Sequence, residues 1–131
     1  MRRIVCDTSA LVAFGRQEPG WDVVERELSR GGCIMHEANI SELCFTMPWK
    51  RPEEFDSDTV LKWLSNNGVA SVEGFDRTWT ETVAAIRQIA PALNLGDGIA
   101  VALGAALHVP VLTADKAFLG ASVYARIKLI R

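Results

Sequence analysis

The chain has 131 residues, of which 49% are apolar and 23% are charged. This length supports one core and predicts a single domain over residues 1 to 131, and the composition excludes intrinsic disorder. The most apolar predicted helix is roughly half of the ~20 residues that a bilayer requires, so no membrane association is expected. The formal net charge of −2 disfavours a polyanionic partner at first sight.

Short β-branched runs alternate along the chain with segments of helical periodicity, and glycine or proline residues separate them. Such alternation predicts an α/β fold with a mostly parallel sheet of five strands that is covered on both faces. The predicted elements, in chain order, are a strand over residues 3 to 6, a helix over 10 to 14, a helix from Pro19 that stops before Gly31, a strand over 33 to 35, a helix over 38 to 47, a helix that ends near Asn66, a strand over 69 to 73, a helix over 79 to 90, a helix over 97 to 107, a strand over 110 to 113, a helical turn from Asp115 and a strand over 127 to 130.

The helix over residues 38 to 47 carries apolar side chains on nearly all sides. A helix of this kind is expected to be buried on both faces. One face should contact the sheet, and the other should contact a second subunit or the next helix.

Four acidic residues, Asp7, Glu42, Asp97 and Asp115, are embedded in otherwise apolar sequence. An ionised carboxylate that is removed from water is strongly destabilising unless it is paired or bound to a metal. Asp7 and Asp115 each follow a predicted strand, and the carboxyl ends of parallel strands gather at one edge of a sheet. Oxygen ligands of this kind favour Mg²⁺ or Mn²⁺, while the lack of a Cys/His cluster disfavours zinc.

Divalent ions on such carboxylates activate water and stabilise a leaving oxygen, so the residues indicate hydrolysis of a phosphate ester. Removing the four acids from the 16 acidic residues leaves 12 against 14 lysines and arginines. A chain whose four acids were neutralised by metal would therefore carry a net positive charge. The acidic composition does not exclude a polyanionic substrate.

Each acid also has a structural explanation. Asp7, Asp97 and Asp115 all stand at plausible helix starts, where an aspartate caps free N–H groups. Glu42 could be an exposed helix residue. One shared site explains all four positions better than four independent local roles.

Histidines and cysteines provide no second site. His36 and His108 lie at the ends of predicted elements without partners at useful spacing, and we interpret both as satisfied polar termini. The three cysteines have no metal-ligand spacing, and an odd number argues against a disulfide framework. We interpret them as buried thiols; they are Cys6, Cys33 and Cys44. No signal peptide is apparent at the N-terminus, so a cytoplasmic location is expected.

Four segments together resemble the PIN-domain ribonucleases, and within them the VapC-type toxins. The resemblance runs from residue 3 to about residue 130 in the order of the family. It implies a PIN-like three-layer α/β/α domain. The segments are Val5-Cys6-Asp7-Thr8-Ser9-Ala10-Leu11, Ser41-Glu42-Leu43, Leu95-Gly96-Asp97 with its alanine-rich helix, and Val111-Leu112-Thr113-Ala114-Asp115-Lys116-Ala117-Phe118.

The resemblance implies a Mg²⁺-dependent endoribonuclease of a type II toxin-antitoxin pair, with Mn²⁺ as a substitute ion. Its partners would be RNA and a cognate antitoxin whose C-terminal segment wraps the toxin. A homodimer is also implied, and DNA would be contacted only indirectly, through an antitoxin complex.

Transferred by position, the resemblance makes Asp7, Glu42, Asp97 and Asp115 the acidic quartet of the family. Asp7 and Asp97 would hold the principal ion, and the other two would bind it through water or hold a second ion. Related sequences often carry a further acid at the position of Ala117. The remaining transferred or expected positions are the small hydroxyls Ser9 and Thr113 and the basic residues Lys50, Arg51 and Lys116 near RNA phosphates.

Two other functions remain open. An aspartyl-phosphate phosphohydrolase, which hydrolyses phosphate monoesters, also places an aspartate after its first strand, but its second acid would fall on Ser9. A non-catalytic PIN module would only bind RNA or a protein. Degenerate modules of that kind should lose acids, and this chain keeps all four.

Overall fold

The computed structural model describes residues 3–47 and 56–131. Strands and helices alternate through these residues, as the sequence predicts. The elements are β1 (Ile4–Cys6), α1 (Thr8–Arg16), α2 (Trp21–Arg30), β2 (Cys33–His36), α3 (Glu37–Thr46), α4 (Ser57–Asn66), β3 (Ala70–Val72), α5 (Arg77–Ile89), α6 (Leu95–Leu107), β4 (Val111–Thr113), a 3₁₀ helix (Lys116–Ala121) and β5 (Ile127–Leu129).

The strands form one sheet in the order β3-β2-β1-β4-β5, and every neighbouring pair is parallel. Val5 in the central strand β1 is in register with Ile34 of β2 on one side and with Val111 of β4 on the other. From β1 the chain continues to β2 and β3 on one side, and it later returns to form β4 and β5 on the other side. A crevice is expected at such a switch point, beyond the carboxyl ends of β1 and β4.

Helices cover both faces of this sheet, and a separate apolar cluster fills each interface. Ile4 and Cys6 of β1 face the cluster formed with α1 to α4, whereas Val5 faces the cluster formed with α5 and α6. This alternation follows from the two-residue period of a strand. The predicted three-layer α/β/α fold with a five-stranded sheet is confirmed.

Helix α6 begins at Leu95, earlier than the predicted start at Asp97. Asn94 is the N-cap: its side chain accepts from the backbone N–H of Asp97, and the Asp97 carboxylate accepts from the N–H of Asn94. This reciprocal pair is a capping box, in which the acid occupies the third helical position. Asp97 therefore lies inside the first turn.

The predicted contacts of α3 with the sheet and with the next helix, α4, are present, but the described residues do not bury it all round. Asn39, Ile40 and Leu43 are buried, but Phe45 is 82% exposed. Residues 40 and 43 share one helix face at the spacing of about one turn, and residue 45 falls on the opposite face. Helix α3 packs against α1, α4 and α6 as well as the sheet, which leaves one outer face uncovered.

His36 has the role expected of a satisfied terminus. Its Nδ1 accepts from the N–H of Ala38 at the start of α3, and its Nε2 lies 2.8 Å from the carbonyl oxygen of Gly74. Of the cysteines, Cys6 and Cys33 are buried as predicted, whereas Cys44 is only half-buried. No helix in residues 3–47 and 56–131 is long and apolar enough to cross a membrane.

Candidate active site

Asp7 follows β1 directly and is almost completely buried, with 3% of its surface exposed. It stands at the N-cap position of α1, yet its side chain makes no capping hydrogen bond. Its Oδ2 instead accepts from Ser9 Oγ at 2.7 Å and from Thr113 Oγ1 at 2.9 Å. The capping interpretation is therefore wrong for Asp7.

The two hydroxyls are themselves oriented by the backbone after β4. Ser9 Oγ accepts from the N–H of Ala114 at 3.0 Å, and Thr113 Oγ1 accepts from the N–H of Asp115 at 3.0 Å. Each hydroxyl therefore accepts from an amide and donates to Asp7. These bonds join the carboxyl ends of β1 and β4.

Asp115 lies at the end of β4, beside this hydroxyl pair. Its Oδ1 accepts from the N–H of Ala117 at 2.9 Å and caps the 3₁₀ helix. The structural alternative therefore describes the local geometry of Asp115 correctly. Capping uses one carboxylate oxygen and leaves the residue at the same edge of the sheet as Asp7.

The pKa of Asp97 shows most clearly that the other three acids lie nearby. Its pKa is raised from 3.8 to about 6, first by burial and then by the negative charges of Asp7, Asp115 and Glu42, while the Asn94 N–H acts in the opposite direction. Like charges raise the pKa of a carboxyl because they disfavour its ionised form. The charges of the other three acids therefore all act on Asp97, which places the four acids near one another.

Glu42 reaches this region from α3. Its Oε1 accepts from Asn39 Nδ2 at 2.9 Å and lies 3.2 Å from Thr8 Oγ1. Its carboxylate rests against Gly96 so closely that a Cβ at position 96 would overlap it. The interpretation of Glu42 as an exposed helix residue is wrong, because its side chain points to the first turn of α6.

Burial raises the pKa of Asp7, and the nearby charge of Glu42 acts in the same direction. Hydrogen bonds from Ser9, Thr113 and the backbone of Thr8 oppose this shift. In the described part of the chain, no salt bridge pairs Asp7 with a cation. The described residues therefore orient the Asp7 carboxylate through hydrogen bonds but do not neutralise its negative charge.

The donor chemistry of this region fits a hard divalent ion, since it offers carboxylate and hydroxyl oxygens and no imidazole or thiolate. Among residues 3–47 and 56–131, however, no three His, Cys, Asp or Glu side chains stand close enough together to form a ready metal-binding group. Local hydrogen bonds hold Asp97 and Asp115 on their own helix starts. The acids therefore lie around the carboxyl ends of β1 and β4 without forming a closed ligand set, and binding of an ion by several of them requires side-chain movement.

Sequence reasoning missed three residues that support Glu42, namely Thr8, Asn39 and Gly96. The spacing of Asn39 and Glu42 was an available signal, because residues three apart share a helix face. The contributions of Thr8 and Gly96 had no comparable signal, since they come from distant parts of the chain. Their contacts arise only when α1, α3 and α6 pack together.

The basic residues remain predictions. Lys116 is exposed and follows Asp115 directly, so it borders the crevice. Lys50 and Arg51 lie outside the described residues.

Fold and site together indicate a particular class of protein, and comparison with known families agrees. The PIN domain profile matches residues 4–123, and the chain belongs to the PIN domain family. PIN domains are typically nucleases and generally use divalent metal ions. No functionally curated protein matches the sequence significantly.

The chain is also similar to a solved structure, the crystal structure of PAE2754 from Pyrobaculum aerophilum. The TM-score is 0.60 over 96% of this chain and 89% of that chain, at 15% sequence identity. At this identity the likeness shows the fold.

Proposed function

We propose that this protein is a Mg²⁺-dependent endoribonuclease and the toxin of a type II toxin-antitoxin pair. The observation that carries the proposal is the arrangement of Asp7, Glu42, Asp97 and Asp115. These acids come from four separate segments and reach the carboxyl edge of β1 and β4 in a member of the PIN family.

In this proposal Asp7 and Asp97 hold the principal ion, while Glu42 and Asp115 bind it through water or hold a second one. Mn²⁺ can replace Mg²⁺, because both ions favour carboxylate oxygens. A bound divalent ion supplies Lewis-acid chemistry by lowering the pKa of water and by stabilising the charge that develops on the phosphate.

The side chains of the protein then orient the reactants. Ser9 and Thr113 fix the rotation of the Asp7 carboxylate, because both donate to its Oδ2. A carboxylate of the quartet accepts a hydrogen bond from the attacking water and aligns it with the scissile bond. In-line loss of the 3′ oxygen leaves a 5′ phosphate and a 3′ hydroxyl. Lys116, Lys50 and Arg51 contact phosphates of the RNA.

The toxin role is supported by the resemblance along nearly the whole chain. It includes a cytoplasmic location, a cognate antitoxin and a homodimer, with DNA contacted only through an antitoxin complex. The exposed face of α3 is consistent with a protein partner, because Phe45 lies on the helix that carries Glu42 and is 82% exposed. Large exposed aromatic side chains are frequent at protein interfaces.

The test is cleavage of total and structured RNA by the purified protein with Mg²⁺, with Mn²⁺ and with a chelator. Asp7→Ala, prepared identically, is the matched control for contaminating nucleases. We expect metal-dependent products with 5′ phosphates from the wild type and none from the variant. Cleavage that survives both the chelator and the substitution would contradict the proposal.

The same preparation separates the alternatives. RNA or protein binding without cleavage would favour the non-catalytic module. Release of phosphate from a small aryl phosphate would favour the phosphate-monoester hydrolase. The geometry disfavours that enzyme, because Asp7 is only 3% exposed and its hydrogen-bond partner two residues on is a serine hydroxyl.

A further inference from the structure

The side-chain amide of Asn39 links the helix that carries Glu42 to the helix that carries Asp97. Its Nδ2 donates to Glu42 Oε1 at 2.9 Å and to the carbonyl oxygen of Gly96 at 2.9 Å. An amide nitrogen has two protons, so these bonds use its whole donor capacity. Asn39 therefore ties α3 to the first turn of α6.

These acceptors determine which way the amide faces. A carboxylate and a carbonyl can only accept from the nitrogen, so the reversed amide would place oxygen against oxygen. In the correct orientation Asn39 Oδ1 is buried without a partner, and it alone has this property among the buried side-chain polar atoms of the described residues. An unpaired buried acceptor is destabilising. An apolar side chain of similar volume would avoid this defect but would also remove the donors to Glu42 and Gly96, so the role of the asparagine lies in what its amide nitrogen binds.

Gly96 completes the same arrangement by lacking a side chain. A Cβ at this position would overlap the carboxylate of Glu42. Gly96 is not among the glycines with positive φ, so its backbone conformation does not require glycine. What requires glycine is the close approach of Glu42 to the first turn of α6.

We propose that Asn39 and Gly96 are positioning residues for Glu42. Asn39 holds Oε1, with help from Thr8, and Gly96 leaves room for the carboxylate beside Asp97. Both hydrogen bonds that the described residues make to the Glu42 carboxylate fall on Oε1. Oε2 accepts none of these hydrogen bonds and stays available to an ion or its bound water. This inference rests on the proposed metal-dependent nuclease function.

The first test replaces Asn39 by leucine, which keeps the volume and removes both donors and the unpaired acceptor. Unfolding by denaturant, Mn²⁺ binding by titration calorimetry and RNA cleavage are measured on the full chain. Leucine leaves Glu42 Oε1 and the Gly96 carbonyl without the Asn39 donor, so the unfolding midpoint should fall modestly. Mn²⁺ affinity or cleavage should fall on the order of 10- to 100-fold, as for other residues that orient metal ligands.

Asn67→Leu is the matched control. The Asn67 amide donates to the Trp63 carbonyl at the end of α4, away from the acidic quartet. Its loss should lower the unfolding midpoint and leave Mn²⁺ affinity and cleavage unchanged. The two asparagine variants should therefore differ in Mn²⁺ affinity and cleavage, although both lose hydrogen bonds.

The second test is Gly96→Ala with Gly120→Ala as its control. A Cβ at position 120 would make only ordinary contact with Ala90, at 3.4 Å. Gly96→Ala should displace Glu42 and weaken Mn²⁺ binding and cleavage, although alanine favours the helix. Gly120→Ala should change neither. If Asn39→Leu fails to fold, this pair decides the question.

The outcomes distinguish this inference from the function on which it rests. Wild-type protein that binds Mn²⁺ without cleaving RNA, and loses that binding in Asn39→Leu, would support the positioning role and contradict the nuclease. Loss of stability in Asn39→Leu with Mn²⁺ affinity and cleavage intact would overturn the positioning role. Wild-type protein that neither binds Mn²⁺ nor cleaves RNA would overturn both.

Discussion

Asp7 and Glu27 are the two acidic side chains that the described fold buries, with 3% and 2% of their surfaces exposed, but their surroundings differ. Glu27 on α2 is paired with Lys128 of β5 at 2.5 Å and with Arg30 at 3.4 Å. Asp7 receives hydrogen bonds from the neutral hydroxyls of Ser9 and Thr113.

The difference separates a structural acid from a candidate ligand. Cations of the protein itself neutralise Glu27, so its charge stabilises the contact between α2 and β5. Neutral donors orient Asp7 but leave its charge uncompensated, and a buried uncompensated charge is unfavourable. A bound cation would remove this penalty at Asp7, whereas Glu27 already has its counter-charges. The predictions below test this contrast.

The largest expected effect is on cleavage by Asp7→Asn. Loss of a metal ligand should remove several kcal/mol of transition-state stabilisation, on the order of 10³-fold in rate. The unfolding free energy should be retained or raised, because burial already raises the pKa of Asp7 and so favours its neutral form. Steady-state cleavage and urea unfolding of the same sample measure both quantities.

Glu27→Gln should give the reverse pattern. Lys128 and Arg30 keep 35% and 54% of their side chains exposed, so water can solvate them after the loss. We expect the unfolding free energy to fall by about 1–2 kcal/mol, with cleavage unchanged. Equal losses of cleavage in the two amide variants would show that the missing counter-charge does not set Asp7 apart from Glu27.

A divalent ion should stabilise the protein through Asp7. At an ion concentration of 100 times the dissociation constant, binding raises the unfolding free energy by about 2.7 kcal/mol. Wild type and Glu27→Gln should both show this gain in thermal melts with Mn²⁺ against chelator. Asp7→Asn should show little of it, and a full gain in that variant would exclude Asp7 as a ligand.

The hydroxyls that orient Asp7 should have smaller effects. Ser9→Ala and Thr113→Val should each reduce cleavage by about 10- to 100-fold, the usual consequence of removing a partner of a metal ligand. Thr113→Ser keeps the donor to Asp7 and should preserve most of the activity in the same assay. If Thr113→Val keeps full activity while Thr113→Ser loses it, packing of the methyl group matters and the hydrogen bond does not.

The smallest effect concerns the pH dependence of stability in the metal-free protein. The pKa of Asp97 is 3.8 in its unperturbed form and about 6 in the fold, so the native state binds its proton more tightly than the unfolded state. Stability should therefore fall as pH rises through this window. Denaturant unfolding at several pH values should show a flatter profile for Asp97→Asn.

Asp56 provides a control of opposite sign for this measurement. A backbone hydrogen bond from Thr59 lowers its pKa, so its contribution to stability is lost as pH falls. Asp56→Asn should therefore change the profile only below the unperturbed pKa of 3.8 and leave the decline between 3.8 and about 6 unaltered. A profile that Asp97→Asn leaves unchanged would show that the pKa of Asp97 is not raised in the folded protein.

Patterns within single segments predicted most of the fold. Alternating apolar runs identified the five strands, and the spacing between them indicated parallel connections through helices. Two details of the helices differ from the prediction. Asn94 caps α6 in place of Asp97, and the apolar Phe45 is 82% exposed on the side of α3 that lies opposite its buried residues.

The proximity of the four acids was also predictable, because each acid interrupts an apolar segment and such positions are unfavourable without a partner; their catalytic role stays a prediction. The contacts that orient the acids depend on packing between distant segments. Asn39 meets Gly96 across 57 residues of sequence, and Thr113 meets Asp7 across 106. A residue's tendency to be buried is encoded locally, whereas the identity of its partner depends on how helices and strands assemble. The sequence therefore identified the acids, and the assembled fold determined which neighbours hold them in place.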